Sequence, residues 1–383
     1  MAKKIVVIGA GAWGGWTAYH LQQAGCEVTL IDQFGPGNAF SGSGDRTRII
    51  RMAYGGDKNY TQLTARSFEL WRKYSAEFDF QMIFDKKAIW MFRGIEPAYA
   101  RQSIPLMTDM GYQLNEVSIE ELKASYPQIY FGDITTAFVE HDAAYLLASA
   151  SCQQVFQHFG KKGGKYVEGK VMELISSEDR ITGVKLADGQ KLKADFFVLA
   201  CGPWLKQLVP EMASVIKVSR QEVYYFDTPE EYNQLPIWVE FREGEEMFYG
   251  IPDHFNQGFK FAYDERTWSL DPDKDDRGIT PEILDKMEGV LKNRFPLIKD
   301  AGVIKHHTCV YENSPDGDFI IDKVPGSSNA MMMAGSSGHG FKMGPALGEL
   351  IAEYLLKDRS IPKEFSLGRF QNPYQTKTQY QVQ

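Results

Sequence analysis

Lys3–Asp32 reads KKIVVIGAGAWGGWTAYHLQQAGCEVTLID. Ile5-Val6-Val7-Ile8 is an unbroken apolar run, suited to a strand buried on both faces of a parallel sheet. Gly9, Gly11 and Gly14 follow at once. A glycine cluster costs backbone entropy, so it needs a reason. Ala12 to Ala24 then carries Trp13, Trp16, Leu21 and Ala24 at helical spacing, and a second apolar strand, Val28–Ile31, ends at Asp32. Strand, glycine turn, helix, strand and acid form the pattern that holds a dinucleotide. Gly9 allows the tight turn, Gly11 lets a pyrophosphate approach the backbone, and Gly14 lets helix pack closely on strand. Phosphate charge would sit on free N–H groups at the helix N-terminus. Asp32 is placed to accept a hydrogen bond from a ribose hydroxyl. No arginine stands at Gln33 or Phe34 to receive a 2′-phosphate, which disfavours NADP. The motif by itself does not separate NAD from FAD. Trp13 and Trp16 read as core packing against the sheet.

The 383 residues are enough for two domains, and 43% hydrophobic with 13% aromatic residues can fill a large core. A net charge of −8, spread along the chain, argues against nucleic acid or an anionic membrane surface as partner. Met1-Ala2-Lys3-Lys4 runs straight into the first strand, so no signal peptide is expected. No apolar stretch reaches membrane-spanning length. Cys26, Cys152, Cys201 and Cys309 show no CxxC pair or zinc spacing, so no metal site is expected and a reducing cytoplasm is the simplest home. The polar C-terminal QNPYQTKTQYQVQ reads as a loose tail.

No internal repeat is visible. A Gly/Ser-rich loop leads into the basic segment Thr47–Gly55, TRIIRMAYG. Helices are expected over Tyr60 to Phe78, from Ser118 with Glu121 at capping-box spacing, over Leu146 to Gly160, over Pro281 to Phe295, and from Pro345. Strands are expected within Ile83 to Phe92 and Val218 to Phe261. A β-meander, KVMELISS, ITGVKLADG and QKLKADFFVLAC, is expected with a hairpin turn at ADG. Nucleotide-binding signals are thus split between both ends and the middle of the chain, which favours a flavoprotein over a contiguous NAD dehydrogenase. The expected fold is α/β. A Rossmann-like FAD-binding domain would draw on 1–85, 146–215 and 316–383, and a mixed-sheet α+β substrate domain on 86–145 and 216–315.

Five ordered segments carry a resemblance over nearly the whole chain: Gly9–Asp32, TRIIRMAYG, VLACGPW at Val198–Trp204, YGIPDHFNQGFKF at Tyr249–Phe261, and CVYENSPDGDFIID…AGSSGHGFKMG from Cys309 to Gly344. The chain resembles the sarcosine oxidase-like branch of the D-amino-acid-oxidase flavoprotein superfamily. The resemblance implies FAD, often covalently bound, and oxidation of a secondary amine or amino acid of N-methyl or cyclic type. Hydride would pass to flavin N5 to give an imine, and O₂ would be reduced to H₂O₂. A monomer is expected. A dehydrogenase using a non-oxygen acceptor, or a catalytically silent flavoprotein subunit, are the alternatives.

Residue by residue, the resemblance implies that Arg51 and Lys342 hold a substrate carboxylate, the one as a planar fork and the other as a point charge. It places Arg48 close to the flavin; Arg48 and Arg51 would face a similar direction if TRIIR were helical. A solvated basic face is the alternative for both arginines. Lys260 is implied over the flavin, where its charge favours reduction of oxygen; an edge-strand lysine is the alternative. Cys309 is implied as the thioether link to the flavin 8α-methyl carbon, its thiolate helped by His306 or His307. Tyr249 and Tyr311 would line the substrate pocket, or else pack in the core. Gly202, Trp204, Gly338, Gly340 and Lys342 fall in cofactor-binding segments, whereas Cys26 and Cys201 read as packing and His339 as part of a hydrogen-bonded turn. Two positions depart from the family. Gly44-Asp45-Arg46 stands where many members carry histidine, and Asp264 replaces a second pocket histidine. Both weaken the case for sarcosine itself as substrate.

Overall fold

A computed structural model of the protein describes residues 2–357 and 359–370. The polar tail 371–383 lies outside the described residues.

The strand Lys4–Ile8 sits near the middle of a six-stranded sheet. Its neighbours are Phe196–Leu199 on one side and Glu27–Asp32 on the other, both parallel, with Val6 opposite Phe197 and Thr29. Lys165–Glu168 extends one edge; Ala330–Ala334 and then the antiparallel Ile320–Lys323 extend the other. Val7, Leu30 and Val198 have no exposed surface. Burial of such side chains stabilises by roughly 1.5–3 kcal/mol each. The helix Ala12–Gln23 follows the glycine turn, and Gly344–Lys357 packs along it. At Gly348 a Cβ would stand 2.6 Å from the Trp16 backbone, so glycine permits this approach. Trp16 fills the space between these helices and Lys58–Glu77, edge-on to Trp71 with 5.4 Å between ring centres. Asp57 caps that third helix through the Tyr60 N–H, and Ser118 and Glu121 form the capping box read from sequence.

The structure corrects the expected meander. QKLKADFFVLAC is not its last arm: Lys191–Leu192 closes the small sheet with Val171–Ser177 and Arg180–Leu186, whereas Phe196–Leu199 leaves it for the parallel sheet. Phe197, Val198 and Leu199 are all buried, which requires cover on both faces and cannot be met in a two-sided hairpin sheet.

An eight-stranded mixed sheet forms the second layer. Its order is Val303–Asn313, Lys217–Phe226, Phe259–Tyr263, Met247–Ile251, Ile237–Phe241, Ala88–Phe92, Thr136–Glu140 and Leu114–Val117. All pairings are antiparallel except Ile237–Phe241 with Ala88–Phe92. The helix Pro281–Arg294 covers one face over an aromatic core of Phe259, Phe261, Trp238 and Phe295. A three-stranded sheet of Thr47–Ile50, Ala144–Leu147 and Ile83–Asp85 stands beside it. No helix among the described residues is long and apolar enough to cross a membrane.

Candidate active site

The C-terminal ends of the parallel strands open into a cleft with about 1150 Å³ of empty space, part of it open to solvent. Gly9, Gly11, Asp32, Gly202, Trp204, Gly338 and Gly340 all line it. Gly14 lies one layer behind, where a Cβ would collide with the Gly9 carbonyl oxygen. Gly9 itself adopts φ +105°, a region that glycine enters at little cost. Asp32 is fixed by three backbone donors, from Ala10 at 2.7 Å, Phe34 at 2.8 Å and Gly35 at 2.9 Å, which leaves lone pairs toward the cleft. Trp13 does more than pack: its indole N–H donates to the Gly340 carbonyl at 2.8 Å, tying the C-terminal glycine turn to the first helix. Cys201 packs against the core as expected and also lines the cleft.

The cleft fits a dinucleotide by its own chemistry. It opens at the N-terminus of the helix Ala12–Gln23, whose free N–H groups suit a phosphate. Glu312 on its wall has a buried Oε2 with no hydrogen-bond partner among the described residues. Burial pushes this carboxyl up to about 8, against the pull of Ser336, so at neutral pH it presents a neutral group able to donate or accept.

A second cavity, with about 630 Å³ of empty space, adjoins the first. Arg48, Tyr311, Gly338 and Phe341 line both, and this shared wall is where a bound cofactor and a substrate would meet. Arg51 and Lys342 enter the second cavity, and both are buried. Arg51 stands over Tyr54 at 4.6 Å and Lys342 over the same ring at 5.2 Å. Burial and then the Arg51 charge push the Lys342 amine well below its usual range, while Glu140 works the other way. Arg51 donates to the Ala53 carbonyl and acts on Glu140, and a carboxylate in the cavity would draw the Lys342 amine back to its charged form. Tyr249 and Tyr311 line the same space. His339 donates from Nε2 to the Gly317 carbonyl at 2.9 Å and accepts from the Tyr54 hydroxyl at Nδ1, 3.1 Å, so it belongs to the turn and is no free base.

TRIIRMAYG opens as a strand, not a helix, because Thr47–Ile50 pairs with Ala144–Leu147. Arg48 and Arg51 still reach one cavity, since the strand ends at Ile50 and Arg51 lies beyond its alternation. Arg48 is no solvated residue: its Nη2 donates to the Gly44 carbonyl at 2.8 Å and to Cys309 Sγ at 3.1 Å. Burial alone would push the Cys309 thiol up; Arg48 and His307 more than offset it and bring it down to about 7. His307, not His306, is the ring at this sulfur. His306 faces Glu222 at 3.4 Å.

Lys260 is buried on Phe259–Tyr263, no edge-strand lysine, and its ammonium donates to Asp45 Oδ2 at 2.7 Å and to the Thr47 carbonyl at 2.9 Å. In the sequence Asp45 stands out only as a departure from the family; no local signal pairs it with Lys260, 215 positions away. Asp264 likewise faces no solvent: Arg266 holds it through two bonds, at 3.1 and 3.0 Å. Ser43, also without a sequence signal, accepts from the Ala12 N–H at 2.9 Å at the head of the first helix.

Comparison with known proteins follows the same lines. The model of the FAD dependent oxidoreductase (DAO) family matches residues 4–354, and the chain belongs to that family; it is an FAD-dependent oxidoreductase. It is 28% identical over 370 residues to monomeric sarcosine oxidase of Bacillus sp. (strain B-0618), covering 93% of each protein. With N-methyl-L-tryptophan oxidase of Escherichia coli O157:H7 it shares 25% over 381 residues, 97% of this chain and all of that one. Among solved structures, L-proline dehydrogenase from P. horikoshii superposes with a TM-score of 0.83 at 23% identity, covering 95% and 96% of the two chains. The fold is the same.

Proposed function

We propose that this member of the FAD-dependent oxidoreductase family oxidises a secondary amine or amino acid of N-methyl or cyclic type, passing electrons to O₂. One observation carries the reading: two buried basic side chains, Arg51 and Lys342, line a small cavity that shares its wall with the dinucleotide cleft. The relatives named sarcosine oxidase and N-methyl-L-tryptophan oxidase support an amino-acid substrate. The nucleotide domain would comprise 1–85, 146–215 and 316–383, and the substrate domain 86–145 and 216–315.

Bound FAD would accept hydride from the carbon next to the substrate nitrogen. The chain does the rest. Gly9, Gly11, Gly14, Asp32, Gly202, Trp204, Gly338, Gly340 and the Lys342 segment hold the cofactor, with Cys309 as its covalent anchor. Arg51 and Lys342 hold the carboxylate. Ile49, Val239, Met247, Tyr249 and Tyr311 keep water out of the cavity. Tyr249 is pushed up by burial and by Tyr311, and His339 is used on both nitrogens, so neither supplies a ready base. The amine would therefore arrive neutral, a form that the Arg51 charge favours by repulsion. Arg48 and Lys260 put positive charge at the reacting end.

One observation favours a second reading, a dehydrogenase with another acceptor: Asp45 ion-pairs with Lys260 and offsets its charge. A panel of N-methyl and cyclic amino acids, assayed for peroxide in air and for dye reduction under nitrogen, tests both. Turnover of simple amines equal to that of the amino acids would sink the carboxylate reading. Dye reduction without peroxide would select the dehydrogenase.

A further inference from the structure

We propose that Asp45 is the positioning residue for Lys260: its carboxylate fixes the ammonium at the cavity wall and keeps the proton on it through neutral pH. The inference rests on the reading above that Lys260 acts by its charge beside the cofactor.

The geometry is that of a built anchor. Asp45 has φ +76°, in the left-handed region that an aspartate enters at some cost. Its carbonyl accepts from the Ser149 N–H at 3.0 Å, which holds the turn. Its side chain has no exposure, and that of Lys260 has 2%. Oδ1 accepts from the Tyr225 hydroxyl at 2.7 Å; Oδ2 accepts from Lys260 at 2.7 Å and from Arg48 at 3.2 Å. The Thr47 carbonyl takes a second ammonium hydrogen. An ammonium has three, so one is left for the cavity that Lys260 lines.

The surrounding charges explain why the carboxylate is needed. Arg48 on the strand Thr47–Ile50, Lys305 and Arg46 over the Tyr225 ring at 5.5 and 5.1 Å, and His307, whose charge acts on Asp45, all add positive character. Cys309 is the other negative group acting on Lys260, but only as a free thiolate; once it links to the flavin as a thioether it carries no charge, and Asp45 is left as the counterion. Burial disfavours a charged lysine, and so does Arg48; among the groups opposing them, Asp45 acts most strongly. Remove it, and an uncompensated buried ammonium releases its proton more easily than it reorganises the strand, whose backbone register, Tyr225 opposite Lys260, is untouched.

The test is an NMR titration of lysine side-chain carbons in the purified, flavin-bearing protein, with Lys260→Met identifying the signal. Wild-type Lys260 should be charged at about pH 7, and Asp45→Asn should lower its midpoint by at least about one unit, a tenfold change in proton affinity. Asp45→Glu should restore most of the shift. Asp45→Ser serves where the asparagine does not fold. Equal midpoints in wild type and Asp45→Asn, or a wild-type Lys260 already neutral at about pH 7, overturn the assignment. The reoxidation rate by O₂ should be flat with pH in wild type and fall with rising pH in Asp45→Asn. If the midpoint shifts while Lys260→Met leaves reoxidation unchanged, Asp45 is still the anchor and the oxygen role given to Lys260 fails.

Discussion

Lys342→Met removes one arm of the carboxylate clamp while keeping most of the side-chain volume. Losing a buried, charged hydrogen-bond partner costs about 2–5 kcal/mol in binding. The low end applies here for two structural reasons. Arg51 remains in the same cavity. Part of the wild-type binding free energy also goes to recharging Lys342, whose amine burial and Arg51 have pushed well below its usual range. About 2 kcal/mol corresponds to roughly 30-fold in Kd, at about 1.4 kcal/mol per tenfold. The sign with pH follows from the same shift. A bound carboxylate raises the Lys342 pKa, so binding takes up a proton, and affinity falls as pH rises through the interval between the free and bound values. The depressed pKa also destabilises the ligand-free fold at low pH, and this cost is relieved as pH rises through the folded value. Methionine abolishes that cost, so Lys342→Met should be at least as stable as wild type, most clearly on the acid side. Calorimetric titration with propanoate in two buffers of different ionisation enthalpy reads both affinity and proton uptake. Unchanged affinity together with zero proton uptake in wild type would refute the clamp. A weaker variant that also melts several degrees lower would mean that Lys342 is structural.

Cys309→Ala should leave a folded protein whose flavin is released by acid, whereas the wild-type pellet stays yellow; wild-type flavin released by acid sinks the covalent anchor. Because Arg48 helps bring that thiol down to about 7, Arg48→Met should raise it, and flavin incorporation, followed by pellet colour against time, should slow at neutral pH. Lys260→Met should slow reoxidation by O₂ far more than reduction by substrate, and equal losses in stopped-flow traces would overturn its role. Gly14→Ala forces a Cβ into the Gly9 carbonyl, which backbone cannot yield, so the purified variant should carry little FAD; normal flavin content would contradict the close helix–strand contact.

How far the sequence reaches is best seen at particular residues. Lys3–Asp32 is self-reporting, because a buried strand, a glycine turn and a helix are local patterns written over consecutive positions. The helix at Ser118 is legible for the same reason, since its cap and its Glu121 partner lie three residues apart. Phe196–Leu199 belongs to a different sheet from the one its neighbours suggest, because an apolar run says that both faces are buried but not by what. The helix Ala98–Asp109 leaves no clear sequence signal; Pro105 lies inside it and its cap is Pro97.

By itself, then, the sequence determined the dinucleotide turn, the α/β character and, through the five segments, the family and the residue types Arg51, Lys260, Cys309 and Lys342. It could not determine partners. Asp45 joins Lys260 across 215 positions. Arg48 meets Cys309 across 261, and Arg266 turns Asp264 from a lone acid into a paired one. Hydrophobic period and turn chemistry act over a few residues and survive in any window of the chain. The charge state of a buried group depends on which other charges the finished fold brings within a few ångströms in a medium of low dielectric. That is a property of tertiary structure alone, and it decides what Lys260, Cys309 and Lys342 can do.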